Sequence, residues 1–271
     1  MNDARGPRAL TAIVVGILVG LTWKWAFFRV ADTVYVQVPI EHDFFPDSMR
    51  SAIVARAAYL TSVIGFLVVL VMSHSRPAWH FRRTFVCGVA TFASAVLLVH
   101  QASYNDVTFL MAVWCGALGT WYSSRLHIDP PSVLQAKACR LSRVIVSLMF
   151  LGGLVGKWTP EYWSGQVLYE IYFVDRDFWF FNWVRDRYDA EGLRSIAIGY
   201  SRLVIVVESF GALTWLVGEI TSAKVAAWSA IAILVSIGLT TNFLLFSVLA
   251  PLIGVATIGV LSPPQSHREG C

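Results

Sequence analysis

A single lysine ends an apolar stretch in a place where a charged side chain could do proton chemistry. Residues 150–165 read FLGGLVGKWTPEYWSG, so Lys157 follows three glycines and precedes an aromatic segment. A lysine at the end of a membrane helix usually extends to the lipid headgroups. Glycines, however, let neighbouring helices approach closely, which would turn Lys157 toward a protein cavity. A neutral amine there could accept a proton, whereas a charged one could form an ion pair, and the sequence leaves both interpretations open.

A carboxylate within a predicted membrane helix is the second residue that could take part in this chemistry. Glu208 lies near the middle of an apolar run, where its side chain cannot reach water. Ionisable groups at such depths usually face the interior of a bundle and pair with an opposite charge. We therefore predict that Glu208 belongs to a polar cavity or proton relay and pairs with Arg202, Arg56 or Lys157.

Other polar residues at predicted helix ends have both a functional and a structural interpretation. Arg56 and Arg202 could line the same cavity or extend along their helices to the headgroups. His100 could carry a proton or simply end a helix, and Asn242 could line the cavity or bond between helices. Lys24 lies between two tryptophans and is predicted to anchor the chain at the membrane interface. No His, Cys, Asp or Glu cluster has metal-ligand spacing, so no metal is predicted.

Three aromatic residues beside Lys157 could form a groove for a flat ring or a lipid. Trp158, Tyr162 and Trp163 lead into residues 159–194, in which aromatic and charged residues are interleaved. Such a mixture favours short helices on the membrane surface, with most of the aromatic side chains in an interfacial belt.

The elements that must position these residues are membrane helices. Of 271 residues, 56% are hydrophobic and only 14% are charged, and the mean hydropathy is +0.62. A soluble domain would carry about a quarter charged residues, and several apolar runs approach the roughly 20 residues that cross a bilayer. We therefore predict an all-α, polytopic protein embedded in the lipid bilayer. The net charge of +4 gives no basis for nucleic-acid binding.

Hydropathy divides the chain, a single predicted membrane domain over residues 1–271, into eight helices. Seven remain possible, because the last apolar stretch is long and divided only by polar residues near 240–242. The predicted helices cover residues 9–28, 51–72, 84–100, 107–122, 141–156, 195–218 and the two parts of 224–261. Residues 159–194 form a segment that does not span the membrane, and residues 262–271 form a polar tail.

The loop charges predict the orientation in the membrane. The loops after helices two and four carry three and four Lys or Arg, and the N-terminal segment carries two. Because basic residues favour the cytoplasmic side, both termini are predicted to be cytoplasmic in the cell (inner) membrane, with residues 159–194 outside. The first apolar run has no small-residue cleavage site and is predicted to be a retained helix. His80 and His127, in the basic loops, are predicted to be solvated.

Three segments resemble the HTTM membrane domain, which is shared with vitamin K-dependent gamma-carboxylase and is similar to the wider DoxX-like group. Lys157, Trp163 and Gly165, in KWTPEYWSG, resemble the lysine, tryptophan and glycine of its signature. Residues 42–46, HDFFP, resemble the segment that enters the second helix. Glu208 corresponds to a glutamate that this group often carries on a helix.

The resemblance implies a helical bundle with an outward-facing cavity and a reduced quinone of the menaquinol or vitamin K type as cofactor. Lys157 matches the lysine that deprotonates this quinol in the carboxylase, where oxygen then yields a strong base and carbon dioxide is added to a substrate. This chain departs from the carboxylase because it has no soluble domain to hold a protein substrate. Asn242 also takes the place of a histidine found in many members. Only the quinone-linked part is therefore expected to apply here.

Two classes of function follow from these expectations. The first is a quinol-linked oxidoreductase or carboxylase-like enzyme with Lys157 as base and with Trp158, Tyr162 and Trp163 as the quinone groove. The alternative is a non-catalytic, DoxX-like membrane subunit that anchors, or confers immunity to, a small secreted peptide or a membrane partner. A transporter is disfavoured, because the sequence shows no inverted repeat and no pair of interrupted helices.

Overall fold

The computed structural model describes residues 5–26, 28, 44–73, 79–174, 176–216 and 222–262. Within those residues the chain forms helices and turns and no strand, which confirms the predicted all-α class. The chain divides into two compact units. The first unit consists of Met1–Ser142 and Ser222–Cys271, and the second of Arg143–Thr221.

In the described residues, eight helices of 15 residues or more overlap the eight predicted segments. They are α1 (Arg5–Trp23), α2 (Ala52–Met72), α3 (His80–Val99), α4 (Val107–Arg125), α5 (Pro131–Val155), α6 (Ala190–Leu216), α7 (Ala223–Thr240) and α8 (Phe246–Val260). Six of these, all except α4 and α8, are long and apolar enough to cross a membrane, as expected for an integral membrane protein. Because α8 has only 15 residues, a count of eight spans stays a prediction.

Four helices, α1, α3, α5 and α6, begin at least four residues earlier than hydropathy predicted. α5 begins at Pro131, where the fixed φ of proline and its missing N–H suit a first helical turn. α3 begins at His80, which brings Arg83 out of the predicted loop and into the helix. Hydropathy misses such turns because charged residues lower its average, although an exposed charge is fully compatible with helical backbone.

In the first unit, α1 packs against α8 through two glycines. A Cβ added to Gly16 would lie 2.7 Å from the carbonyl oxygen of Ala250, and one added to Gly20 would lie 2.5 Å from that of Ser247. Real side chains cannot fit at those distances, so the two helix backbones meet where side chains are absent. Gly16 and Gly20 have the four-residue spacing that is typical of close helix pairs in membranes.

The prediction of close helix contact at the glycines before Lys157 is wrong for two of the three. Among the described residues, a Cβ on Gly152 would meet no atom within 4 Å, and the nearest atom to one on Gly156 is the carbonyl oxygen of Gly153 in the same turn. Gly153 does face other groups, namely the ammonium of Lys157 and the carboxylate of Glu208. Its missing side chain therefore leaves room for two charged groups instead of a neighbouring backbone.

In the second unit, the aromatic segment folds into short helices. These are Pro160–Trp163, Gln166–Leu168 and Trp179–Arg185, with a π-helical turn at Tyr169–Val174. The short helices agree with the sequence analysis, and their position on the membrane surface stays a prediction. A buried cluster of Leu154, Tyr162, Leu168 and Ile205 connects the end of α5 with α6.

Gly165 sets the close approach of this segment to α6. Its φ is +73°, in the left-handed region that side chains disfavour. A Cβ there would lie 2.6 Å from the backbone nitrogen of Ile198. Backbone conformation and space thus both require glycine, and Tyr162 and Lys157 lie a few residues before this contact.

Candidate functional site

The centre of the candidate site is an ion pair between Lys157 and Glu208. The Lys157 ammonium (Nζ) donates hydrogen bonds to both carboxylate oxygens of Glu208, at 2.8 Å to Oε1 and 2.6 Å to Oε2. The side chains keep only 23% and 8% of their surface exposed. Of the two predicted partners of Glu208 that lie in the second unit, Lys157 is in contact with it and Arg202 is not.

The end of α5 places Lys157 where its charge is stabilised. The helix ends at Val155, and the Lys157 N–H donates to the carbonyl oxygen of Leu154 at 2.9 Å. The ammonium reaches back to the carbonyl oxygen of Gly153, 3.3 Å away. Unpaired carbonyl groups at a helix C-terminus attract cations, so the helix end and Glu208 both favour the ammonium at this position.

A tyrosine ring covers one side of the ion pair. Tyr162 is buried, and its ring centre lies 6.0 Å from Lys157 Nζ, at the outer limit of a cation–π contact. Burial raises the pKa of Tyr162 well above its ordinary value, and the negative charge of Glu208 raises it further. Tyr162 is therefore a neutral phenol at physiological pH. Its backbone carbonyl accepts a hydrogen bond from Ser201, which connects the short helix to α6.

The two tryptophans of the predicted groove form a pair with each other. The rings of Trp158 and Trp163 are 5.7 Å apart in an edge-to-face arrangement. Trp158 is 61% exposed, whereas Trp163 is half-buried and packs against the Tyr162 cluster. The second unit thus presents an exposed aromatic surface next to the partly shielded ion pair.

The predicted arginine candidates lie on exposed positions. Arg202 on α6 is exposed, and within the described chain it makes no ion pair. Arg56 on α2 is also exposed and belongs to the first unit. Exposure on an apolar helix fits the interpretation in which long side chains extend to the headgroups.

His100 has a structural role at the end of α3. It is fully buried, its Nδ1 accepts from the Ala102 N–H at 3.2 Å, and its Nε2 lies 3.1 Å from the Ser51 carbonyl oxygen. The ring is therefore neutral, with its proton on Nε2. Burial lowers the pKa of His100, and the bond to Ser51 partly offsets this effect.

Asn242 ends α7. The Asn242 N–H donates to the carbonyl oxygen of Leu239, and the Phe243 N–H donates to that of Gly238, which together form a Schellman motif. The φ angles of Asn242 and Phe243 are +49° and +57°. Asparagine tolerates the left-handed region better than most residues, so the backbone alone explains this residue and the break between α7 and α8.

An ion pair in the first unit was not predicted from the sequence. Lys24, predicted as an interfacial anchor, pairs with Asp106 at 2.5 Å. Asp106 also caps α4 by accepting the Thr108 N–H at 2.8 Å. The Asp-x-Thr pattern before an apolar run indicates such a cap, but no local pattern indicates the lysine 82 residues away.

The remaining sequence expectations are only partly covered by the structure. His42 and Asp43 of the second resembling segment, and residues 263–271 of the polar tail, lie outside the described residues. In the described ranges, no group of three or more His, Cys, Asp or Glu residues could hold a metal ion. The three described cysteines are buried. The chain matches no protein-family model, no curated protein and no solved structure.

Proposed function

We propose that this integral membrane protein binds a reduced quinone beside Lys157 and Glu208 and removes a proton from one of its hydroxyl groups. The observation that carries the proposal is the partly shielded ammonium–carboxylate pair next to the Tyr162 ring. The exposed Trp158 provides a flat apolar surface that suits an aromatic ring. The resemblance of the lysine segment to the carboxylase family points to the same chemistry.

The two side chains of the ion pair can exchange a proton with each other before Lys157 accepts one from the quinol. A reduced quinone provides an acidic hydroxyl group and two electrons for oxygen. Glu208 first takes one proton from the ammonium along the 2.6 Å contact, which leaves a neutral amine and a neutral acid. The exchange gives up the ion pair and the ammonium contact with the Gly153 carbonyl oxygen, and it offsets part of that cost by removing two charges from a poorly solvated place. Nζ of Lys157 can then accept the hydroxyl proton, and Glu208 holds the first proton meanwhile.

A second candidate function is that of a non-catalytic membrane subunit for a secreted peptide or membrane partner. The specific observation in its favour is that the Lys157 ammonium already donates hydrogen bonds to both Glu208 oxygens and to the Gly153 carbonyl oxygen. An ion pair of this kind holds the end of α5 to α6 beside the Leu154–Ile205 contact. In this case the pair stabilises the unit and binds no quinone.

A single substitution separates the two functions. Arginine keeps the positive charge and the ion pair but cannot give up its proton. We expect Lys157→Arg to abolish oxygen uptake driven by a reduced naphthoquinone. The variant should still fold, and quinone binding should still quench its tryptophan fluorescence. Glu161→Gln, an exposed acid in the same segment, is the matched control and should behave as wild type. Full oxygen uptake in Lys157→Arg, or no saturable quinone binding by wild type, would contradict the quinol proposal and favour the non-catalytic membrane subunit.

A further inference from the structure

A buried arginine in the first unit has no acidic partner among the described residues. Arg83 on α3 is only 2% exposed. Its Nε donates to the hydroxyl of Ser123 at 2.9 Å, and its Nη2 lies 3.5 Å from Nε2 of His127. Among the described residues, no carboxylate lies within ion-pair distance of this guanidinium.

A guanidinium that is buried without a counter-charge is costly. Desolvation of such an ion costs several kcal/mol after relaxation, and a hydrogen bond to a serine hydroxyl offsets only part of that cost. Arginines in membrane helices therefore pair with an acid or reach a phosphate headgroup. Among the described residues Arg83 contacts no acid, so a bound anion would offset this cost.

Arg83 lies at one end of its helix. It lies in the first turn of α3, and Ser123 lies in the last turn of α4, so both are at helix ends. The start of α1 is at the same end, because a Cβ on Gly6 would touch the side chain of Leu126. Ends of spanning helices lie at the level of the lipid phosphates.

The groups around Arg83 favour an anion. The rings of His80 and His127 lie 5.9 Å apart, and both residues are exposed. Asp129, two residues after His127, pairs with Lys137 at 3.4 Å. Two imidazoles can each donate a hydrogen bond to an oxyanion when they carry a proton on the facing nitrogen.

We propose that Arg83, together with His127 and His80, binds a phosphate group at this end of the first unit. The planar fork of a guanidinium matches two phosphate oxygens, and a poorly hydrated cation gains more from this contact than an ammonium does. The phosphate belongs either to the headgroup of an acidic phospholipid or to a free phosphate ion. This proposal shares no residue with the Lys157–Glu208 pair, so it does not depend on the quinone proposal.

The test uses delipidated full-length protein in detergent and three probes: phosphatidylglycerol, phosphatidylcholine and inorganic phosphate. Thermal unfolding and native mass spectrometry report stabilisation and the number of bound molecules. We expect saturable stabilisation by phosphatidylglycerol and an apparent Kd at least about tenfold weaker in Arg83→Gln, because a charge-assisted hydrogen bond is lost. Arg82→Gln is the matched control. It removes the same charge from an exposed neighbour whose guanidinium lies over the Trp79 ring, 5.3 Å from its centre.

The other probes identify the source of the phosphate and can overturn the proposal. Stabilisation by inorganic phosphate that depends on Arg83 would assign the site to a free phosphate ion. If Arg83→Gln does not fold, His127→Ala replaces it, because the His127 side chain is exposed; it too should weaken binding. Equal responses of wild type and these variants to every probe, or an equal loss in Arg82→Gln, would show that no specific phosphate site exists.

Discussion

Replacing Glu208 with glutamine tests the ion pair directly. The change keeps the shape of the side chain but removes its charge, so the Lys157 ammonium would stay in place without a counter-charge. Breaking a buried ion pair costs roughly 3–5 kcal/mol. Lys157 retains 23% exposure, so water compensates part of the loss. We therefore expect Glu208→Gln to lower the free energy of unfolding by about 3 kcal/mol, the lower end of that range.

A double-mutant cycle isolates the contribution of the pair. Lys157→Met and the double variant complete the cycle, with unfolding in detergent followed by circular dichroism. Contacting charges should show a coupling energy of about 1–3 kcal/mol, so the double variant should lose less stability than the two single changes together. Glu161→Gln, which removes an exposed acid from the same segment, should change stability by less than about 0.5 kcal/mol.

Strict additivity in this cycle would refute the reasoning. If the two single losses simply add, Lys157 and Glu208 do not interact in solution. A Glu208→Gln protein as stable as wild type would show that the carboxylate is solvated or neutral. In either case the proton exchange between the two side chains, on which the proposed function rests, would lose its basis.

Three further predictions follow from other parts of the chain. Gly165→Ala should destabilise the protein by at least about 2 kcal/mol, because its Cβ meets the α6 backbone at a positive φ, whereas Gly152→Ala should be neutral or slightly stabilising; thermal unfolding compares them. Burial lowers the pKa of His100, so the folded protein binds fewer protons there. The melting temperature should therefore decrease as the pH is lowered from about 6.5, and the decrease should be smaller in His100→Asn. Equal pH profiles of the melting temperature in the two proteins would contradict this. In a cysteine-free protein, Ser164→Cys should react with an impermeant thiol reagent on intact cells and Ile128→Cys should not; both positions are exposed, and the reverse result would invert the orientation.

The sequence by itself determined the class of protein and the places of its long helices. Length and hydropathy are local properties, and a run of about 20 apolar residues has few stable alternatives to a helix in a membrane. The break between α7 and α8 was also predictable, because Thr240, Thr241 and Asn242 interrupt an apolar stretch that is too long for one span. Helix starts were less predictable, since charged first turns such as that of α3 lower the hydropathy average.

Only the tertiary structure decided which polar residues meet. Glu208 had three possible cations, and its contact with Lys157, 51 residues away, depends on how α5 and α6 are rotated and on the room left by Gly153. The same holds for the glycines: Gly16 approaches another helix closely and Gly152 does not, although both follow apolar residues. Sequence spacing states which residues share a face of one helix. It does not state which face of another helix lies opposite, because packing of the whole unit sets that choice.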